Sequence, residues 1–390
     1  MVTGNRVAIA GVGYSTVGRN TGLSVDDLVI EATTAALADA GMTVADIDGV
    51  SSMGSEPLGN AWMLGIEPVN WWSSGIIGPA FVYPALMSIA AIASGFCHTA
   101  LTLRIIQQQP SGGAMAAGTA GAAGAANPMA ALLMLGGSGD RQFLVPFGAG
   151  NPTQWAGLFT QRHMAEFGTT EEQFGHHVIA QRYHASLNDD AIFREPLTMD
   201  DYLAARYVSK PLRILDCDYP VDAGSAVIFT TEERARDLRQ PVVLVDSYAM
   251  SSIRDLHFEI MEDMVHTSPA HCASELWSRT DLGPRDVDTA QLYDGFSVIT
   301  FQWLEALGFC GPGEAGPFVE AGNTRLGGSL PVNTDGGACN VGRRHGANFC
   351  IEATRQLRGQ CGDRQVEGAE VSVFSNAVGP FSGAVLLTKG

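Results

Sequence analysis

No run of Lys or Arg occurs anywhere in this chain, and its 23 basic residues face 41 acidic ones, for a formal net charge of −18. A nucleic-acid binder carries a basic stripe or patch, so that class is excluded. The acidity favours solubility and identifies no partner. An anionic ligand would have to be held by local Arg side chains and helix N-termini against a repulsive overall field. Uninterrupted apolar runs of 18 residues are missing too. The nearest, 76–95, is broken by Gly78, Pro79 and Pro84, which argues against a membrane span. The seven cysteines (Cys97, Cys217, Cys272, Cys310, Cys339, Cys350 and Cys361) include no C-x-x-C pair. Scattered and odd in number, they read as reduced thiols in a cytoplasmic protein, with no disulfide framework and no zinc site. The opening "MVTGNRVAIAGVG" goes straight into a strand, so no signal peptide is expected.

What the chain does have is length and glycine. Its 390 residues, 46 of them Gly, suffice for two domains or one duplicated domain with many tight turns and close backbone contacts. "RVAIAGVG" (6–13) reads as a buried strand running into a Gly turn. "DLVIEATTAALADAG" (27–41) reads as an amphipathic helix ended by glycine, and "VADIDGVSSMG" (44–54) as a capped turn leading to a strand. The same phrase returns in "SPAHCASELWSRTDLGPRDVDTAQLYDGF" (268–296), where Asp286-Val287-Asp288 matches Asp46-Ile47-Asp48 at an offset of 240. A second pair agrees. The helix "YPALMSIAAIASG" ends at Gly95 before the strand "HTALTLRI", and "ANFCIEATRQLRG" ends at Gly359 before "EVSVFS". Two similarities in one order point to duplication, and alternating strands and helices point to an α/β protein with a helix layer shared between stacked halves.

The expected division is an N-terminal half from 1–102 and 211–250, an inserted loop domain at 103–210 and a C-terminal half at 251–390. The insertion holds a Gly/Ala tract (111–130), read as a loop, and a helix in "TTEEQFGHHVIAQRYHASLN" (169–188) with Thr169 or Thr170 as N-cap. Insertions above a rigid α/β core usually carry recognition.

The stretch "QLYDGFSVIT" (291–300) sets Tyr293 and Asp294 between apolar flanks. A lone Tyr-Asp pair is most simply a tyrosine packed under a turn. Asp294 reads as a cap or brace, Asp335 in "NTDGG" as a turn former, and Cys339 as a small packing residue. His176-His177 has no carboxylate at i+4 and is not read as a metal site.

Six phrases together change the weight of that pair: "GTTEEQFGHHVIAQRYHASLND" (168–189), "YVSKPLRILDCDYPVDAGSAVIFTTEERARDL" (207–238), "LYDGFS" (292–297), "LEALGFCGPGEAGPFVEAG" (304–322), "LPVNTDGGACNVGRRHG" (330–346) and "EATRQLRG" (352–359). In this order the chain resembles the thiolase superfamily over its whole length. It resembles most the branch of the sterol carrier protein X thiolase and the lipid-transfer-protein-type steroid side-chain aldolases. The resemblance implies a thiolase fold, duplicated αβ halves in a layered α-β-α-β-α core with an inserted loop domain. A thiolase places its nucleophilic cysteine at a buried helix N-terminus, where the dipole favours thiolate; here that position falls at or near Gly78. Ser375, in the Gly-rich "VFSNAVGPFSG" (373–383), stands where the second thiolase cysteine would be. "YDGF" fits the slot of the family's Asn or His, giving Tyr293, and "RRHG" fits the slot of its oxyanion-site histidine, giving His345. The aldolase relatives carry a second tyrosine just before the His-Gly; this chain has Arg343 and Arg344 there. Those two arginines read equally as salt-bridge partners or as anchors for a carboxylate or phosphate.

Without the two thiols, the implied chemistry is retro-aldol cleavage of a β-hydroxyacyl-CoA, by resemblance a 17-hydroxy steroid side-chain CoA, to a steroid ketone and propionyl- or acetyl-CoA. Tyr293 would transfer the proton, its phenol lowered by Arg343 or His345, and His345 would stabilise the enolate, with helix N-terminal amides helping. The resemblance also implies a homodimer carrying at each end a small OB-fold, zinc-containing acyl-CoA-binding subunit, with no cofactor bound by this chain. Three alternatives remain at this point: a thiolase using Cys339 or Cys97, a non-catalytic acyl-CoA or lipid carrier, and an aldolase for a non-steroid acyl-CoA.

Overall fold

The computed structural model of the chain describes residues 4–75, 80–108, 143, 152–254, 258 and 261–390. Gly78 and the Gly/Ala tract at 111–130 lie outside the described residues.

The first half contributes β1 (Val7–Tyr14), α1 (Val25–Ala40), β2 (Gly49–Met53), α2 (Pro57–Leu64), β3 (Trp71–Ser74), α3 (Val82–Ala93) and β4 (Thr99–Ile106). Then come α4 (Pro152–Phe167), α5 (Glu171–Ser186), α6 (Met199–Ala204) and a small hairpin of β5 (Tyr207–Ser209) and β6 (Leu212–Arg213). They are followed by β7 (Ala223–Thr231), α7 (Glu232–Ala235), β8 (Val243–Ser252), α8 (Ser268–Trp277), β9 (Thr289–Gln291) and α9 (Ser297–Ala306). The chain closes with α10 (Ala315–Glu320), α11 (Ala338–Val341), α12 (Ala347–Arg358), β10 (Val371–Val378) and β11 (Phe381–Lys389).

The duplication expected from the offset of 240 is visible in the pairing. In the first half β1 pairs antiparallel with β7, β7 antiparallel with β4, β4 parallel with β2 and β2 parallel with β3. In the second, β8 pairs antiparallel with β11, β11 antiparallel with β10 and β10 parallel with β9, and a parallel bridge from Ala290 to Val332 extends the series. Ala8 opposite Leu244 and Ile9 opposite Val243 join the halves, giving the order β3-β2-β4-β7-β1-β8-β11-β10-β9. β8 spans residue 250, the expected division between halves.

Three cores account for five layers. α1 and α2 cover the outer face of the first half, with Leu28, Val29 and Ala36 against Leu101, Leu103 and Ile228. α8 and α9 cover the outer face of the second, through Leu276, Val298 and Leu304. Between the two halves of the sheet lie α3 and α12, whose Ile89, Ile92, Phe349 and Leu357 share one core with Ile9, Phe229, Phe374 and Val385. This is the α-β-α-β-α core that the family resemblance implied. The helices of the insertion dock on the second half: Phe174 of α5 stacks on Phe301 of α9 at 4.5 Å.

Local signals explain the elements. Ser24 and Asp27 form a reciprocal capping box at the start of α1, and Gly41 ends it in the left-handed region at φ 71°. Thr170 caps α5 in the same way with Gln173. The glycines at 11 and 13 are not a turn, as the sequence suggested. β1 runs through them to Tyr14, and α1 lies so close that a Cβ on Gly11 would come 2.3 Å from the Ala36 carbonyl oxygen. Among the described residues no helix is long and apolar enough to cross a membrane.

Candidate active site

Tyr293 sits two residues beyond β9, on a backbone tied down at each step. The Asn333 side chain clamps Leu292 from both sides, Oδ1 accepting from its N–H at 2.6 Å and Nδ2 donating to its carbonyl at 2.8 Å. The Tyr293 N–H donates to Ser375 Oγ at 3.3 Å. Asp294 is fully buried and accepts from the Ala338 N–H at 2.9 Å and from Gln181 Nε2 at 2.8 Å. Burial pushes its carboxyl up to about 8, against the two donors that favour its ionised form. The partly buried ring of Tyr293 meets Phe349 of α12 edge-on at 6.2 Å. Its hydroxyl lies over Gly295, where a Cβ would come within 2.7 Å of it. Glycine is therefore required for the phenol to fold back at this point.

His345 comes from the loop before α12. Its φ of 48° is in the left-handed region, uncommon for a residue with a side chain. Two contacts hold its carbonyl there: the Phe81 N–H from the first half at 3.1 Å and Asn376 Nδ2 from β10 at 2.9 Å. Its Nδ1 lies 2.5 Å from Nη2 of Arg104, a buried guanidinium in β4. Burial first, then the charges of Arg104 and Arg343, hold the imidazole well below its usual pKa, so it is neutral. Arg343 turns back to Asp218, reaching Oδ1 with Nη2 at 2.7 Å and with Nε at 2.8 Å.

These charges act on the phenol in a direction opposite to that expected. Arg343 does favour phenolate, but burial and the Asp218 carboxylate outweigh it, and the Tyr293 pKa is raised. The cation arrives with its own anion. At neutral pH Tyr293 is a protonated donor.

The other expected positions separate. Arg344 is buried away from this group, its guanidinium 4.0 Å over the Tyr14 ring. Ser375 lies inside β10, opposite Ala384, and not in a loop; it supports the Tyr293 backbone. Asp335 closes a turn as expected, accepting from the Gly337 N–H at 2.7 Å, and also holds Asn348 at 2.9 Å. Neither candidate thiol is activated. Burial pushes Cys97 up to about 12 and Cys339 well above its ordinary value, and the Cys339 thiol donates to the Asp294 carbonyl at 3.3 Å. Three contributors escaped the sequence reading: Arg104, Asp218 and Asn333. For Arg104 a signal existed, a lone charge in the otherwise uncharged, mostly apolar run "TALTLRII".

The group thus offers a phenol donor, a neutral imidazole and two guanidiniums, one of them paired with a carboxylate. Such a set can move a proton and stabilise negative charge growing on an oxygen. It supplies no thiolate.

Residues 251–388 match the family described as thiolase C-terminal domain-like. Over 388 residues the chain is 33% identical to a steroid side-chain-cleaving aldolase of Thermomonospora curvata, covering 97% of each. It is 32% identical over 396 residues to a 17-hydroxy-3-oxo-4-pregnene-20-carboxyl-CoA lyase of Mycobacterium tuberculosis, covering 98% of this chain and 99% of that one. A solved structure, the Ltp2-ChsH2(DUF35) aldolase, superposes with a TM-score of 0.87 at 30% identity, over 100% of this chain and 99% of that chain.

Proposed function

The chain belongs to the thiolase superfamily, in the branch of the steroid side-chain-cleaving aldolases, and from that premise we propose how Tyr293 and His345 carry out its carbon–carbon lyase reaction. The substrate is a β-hydroxyacyl-CoA, a 17-hydroxy steroid side-chain CoA in keeping with the relatives' names. As the Cα–Cβ bond breaks, Cβ and its oxygen become the ketone and the bonding pair passes to Cα as a thioester enolate. The β-hydroxyl proton leaves and one proton arrives on Cα. In one concerted exchange Tyr293, protonated in the free enzyme, passes its proton to Cα as it takes the β-hydroxyl proton, so the carbanion is quenched as it forms and protons balance within the step. His345, neutral, offers an N–H to the enolate oxygen. The products are a steroid ketone and a short acyl-CoA, propionyl- or acetyl-CoA. No acyl-enzyme forms.

One observation carries this reading against a thiolase: both candidate thiols, Cys97 and Cys339, are buried and held in the thiol form, whereas the Tyr293 phenol and the His345 imidazole both lie within the influence of Arg104 and Arg343. We extend the partnership named in the solved neighbour to this chain, as a small subunit with an OB-fold and a zinc site of its own. The assembly would be a core homodimer formed through an edge strand of the sheet, with such a subunit at each end.

The test is to co-express the chain with its partner subunit and assay a 17-hydroxy steroid side-chain CoA for ketone release. Release that survives full alkylation of accessible thiols is the expected result. Complete, substrate-protected inactivation by modification of one cysteine would restore the thiolase reading.

A further inference from the structure

We propose that Arg104 is a positioning residue for His345, holding the imidazole in the tautomer that carries its proton on Nε2. The inference rests on the reading of His345 as the group that donates to the enolate oxygen.

Arg104 is 2% exposed in a strand buried along its whole length. A core charge is costly unless paired and hydrogen-bonded, yet among the described residues no carboxylate bonds to it. The fold has instead built it a cradle. Nη1 donates to the Met53 carbonyl at 3.0 Å and to the Ile105 carbonyl at 2.8 Å. Gly54, at φ 99°, leaves the room, since a Cβ there would come 2.7 Å from Nη1 and 1.9 Å from the Ile105 oxygen. Nε has no partner among the described residues. A buried cation kept at such cost, with one nitrogen anchored and another aimed at a single imidazole, has a purpose beyond packing.

The chemistry of that contact is one-directional. A guanidinium only donates. Nη2 at 2.5 Å therefore makes Nδ1 of His345 the acceptor, without a proton. The proton of a neutral imidazole is then on Nε2, the nitrogen left free to donate. An imidazolium would set N–H against N–H and charge against charge, so the same contact also excludes the protonated ring. Arg104 belongs to the first half and His345 to the second, 241 residues apart. The bond forms only when the halves are correctly stacked, and it ties the electronic state of the site to that stacking.

The test reads the tautomer directly. The full chain, with its partner subunit, is labelled with ¹⁵N-histidine, and His345→Ala identifies the His345 signals. Wild type is expected to show an unprotonated Nδ1 and a protonated Nε2, unchanged from about pH 6 to about pH 8, where an ordinary histidine titrates. In Arg104→Met the donor and the like charge both go. The Nδ1-protonated tautomer of His345 should then become populated, the imidazole pKa should rise from its low value although burial and Arg343 remain, the acid limb of kcat should move to higher pH, and kcat should fall at least about tenfold with KM held within about twofold. Arg104→Lys, which keeps a charged donor, should recover part of the loss. A wild-type His345 that is Nδ1-protonated or imidazolium at neutral pH overturns the inference even if no Arg104 variant folds. So does an Arg104→Met enzyme that loses activity with tautomer and acid limb unmoved. Retention of full turnover by His345→Ala would overturn the functional reading of His345 instead, and the nitrogen shifts would still decide whether the bond exists.

Discussion

A phenol held above its ordinary pKa by burial and by the Asp218 carboxylate stays protonated at neutral pH, so it enters the reaction with a proton to give. Tyr293→Phe removes only that hydroxyl. Turnover should fall by at least about 10²-fold, the lower end of what positioned proton-transfer groups contribute, with circular dichroism and oligomeric state unchanged. Turnover within about threefold of wild type would make the phenol a packing residue. Asp294 behaves differently because its carboxyl is raised from 3.8 to about 8 by burial. The folded state thus binds a proton that the unfolded state has released across that window. The stability that this proton contributes is fully present below about pH 4 and is lost as pH rises to about 8. Asp294→Asn cannot titrate. Its Oδ1 can still accept from Ala338, and Gln181, whose Oε1 lacks a partner among the described residues, can turn to accept from the new amide. The difference in Tm between variant and wild type should therefore move in the variant's favour between about pH 5 and pH 9. A pH-independent difference would show that Asp294 is ionised throughout.

At the level of elements, strands and helices approach more closely than side chains usually permit. β1 meets α1 through Gly11 and Gly13 on one side and Ala32, Ala36 and Ala40 on the other. Gly11→Ala puts a methyl group 2.3 Å from the Ala36 oxygen. The strand and helix must separate, which should cost about 1–3 kcal/mol in denaturant unfolding. Gly18→Ala is the control: its Cβ would meet only Thr21 Cγ2, at 3.4 Å. It should stay within about 0.5 kcal/mol of wild type. Equal effects of the two would mean that the α1–β1 contact yields freely. The loop from 333 to 346 is held by the same kind of fit. Gly346, at φ 90°, lies where a Cβ would come 1.7 Å from Asn376 Nδ2, the group that fixes the His345 carbonyl.

Over the whole molecule, duplication places the candidate site between halves. Tyr293 and His345 come from the second half, Arg104 and the Phe81 amide from the first, and all converge near the shared helix layer. The sheet ends in β3 and β9. At the β3 edge Trp72 is 53% exposed, a liability for a protein that works alone. Expressed by itself, the chain should be poorly soluble or inactive, and co-expression with the proposed small partner subunit should restore both, as measured by soluble yield and ketone release. Full activity of a purified lone homodimer would contradict this.

The architecture was legible in the order of the residues. Gly41, Gly95 and Gly359 end helices as written, Thr170 caps its helix, and the offset of 240 between Asp46 and Asp286 became two matching sets of strands. These signals were legible because caps, periodicity and repeats act between residues close in the chain or equivalent in it. The sequence also singled out Tyr293 and His345, through motif slots. It could not reveal what surrounds them. Arg104 reaches His345 from 241 residues away, and Asp218 reaches Arg343 from 125. Only the stacking of the two halves makes those pairs. The protonation of the phenol and the neutrality of the imidazole were decided there as well. A pKa answers to burial and to every charge within a few ångströms, and neither quantity exists until the chain has folded.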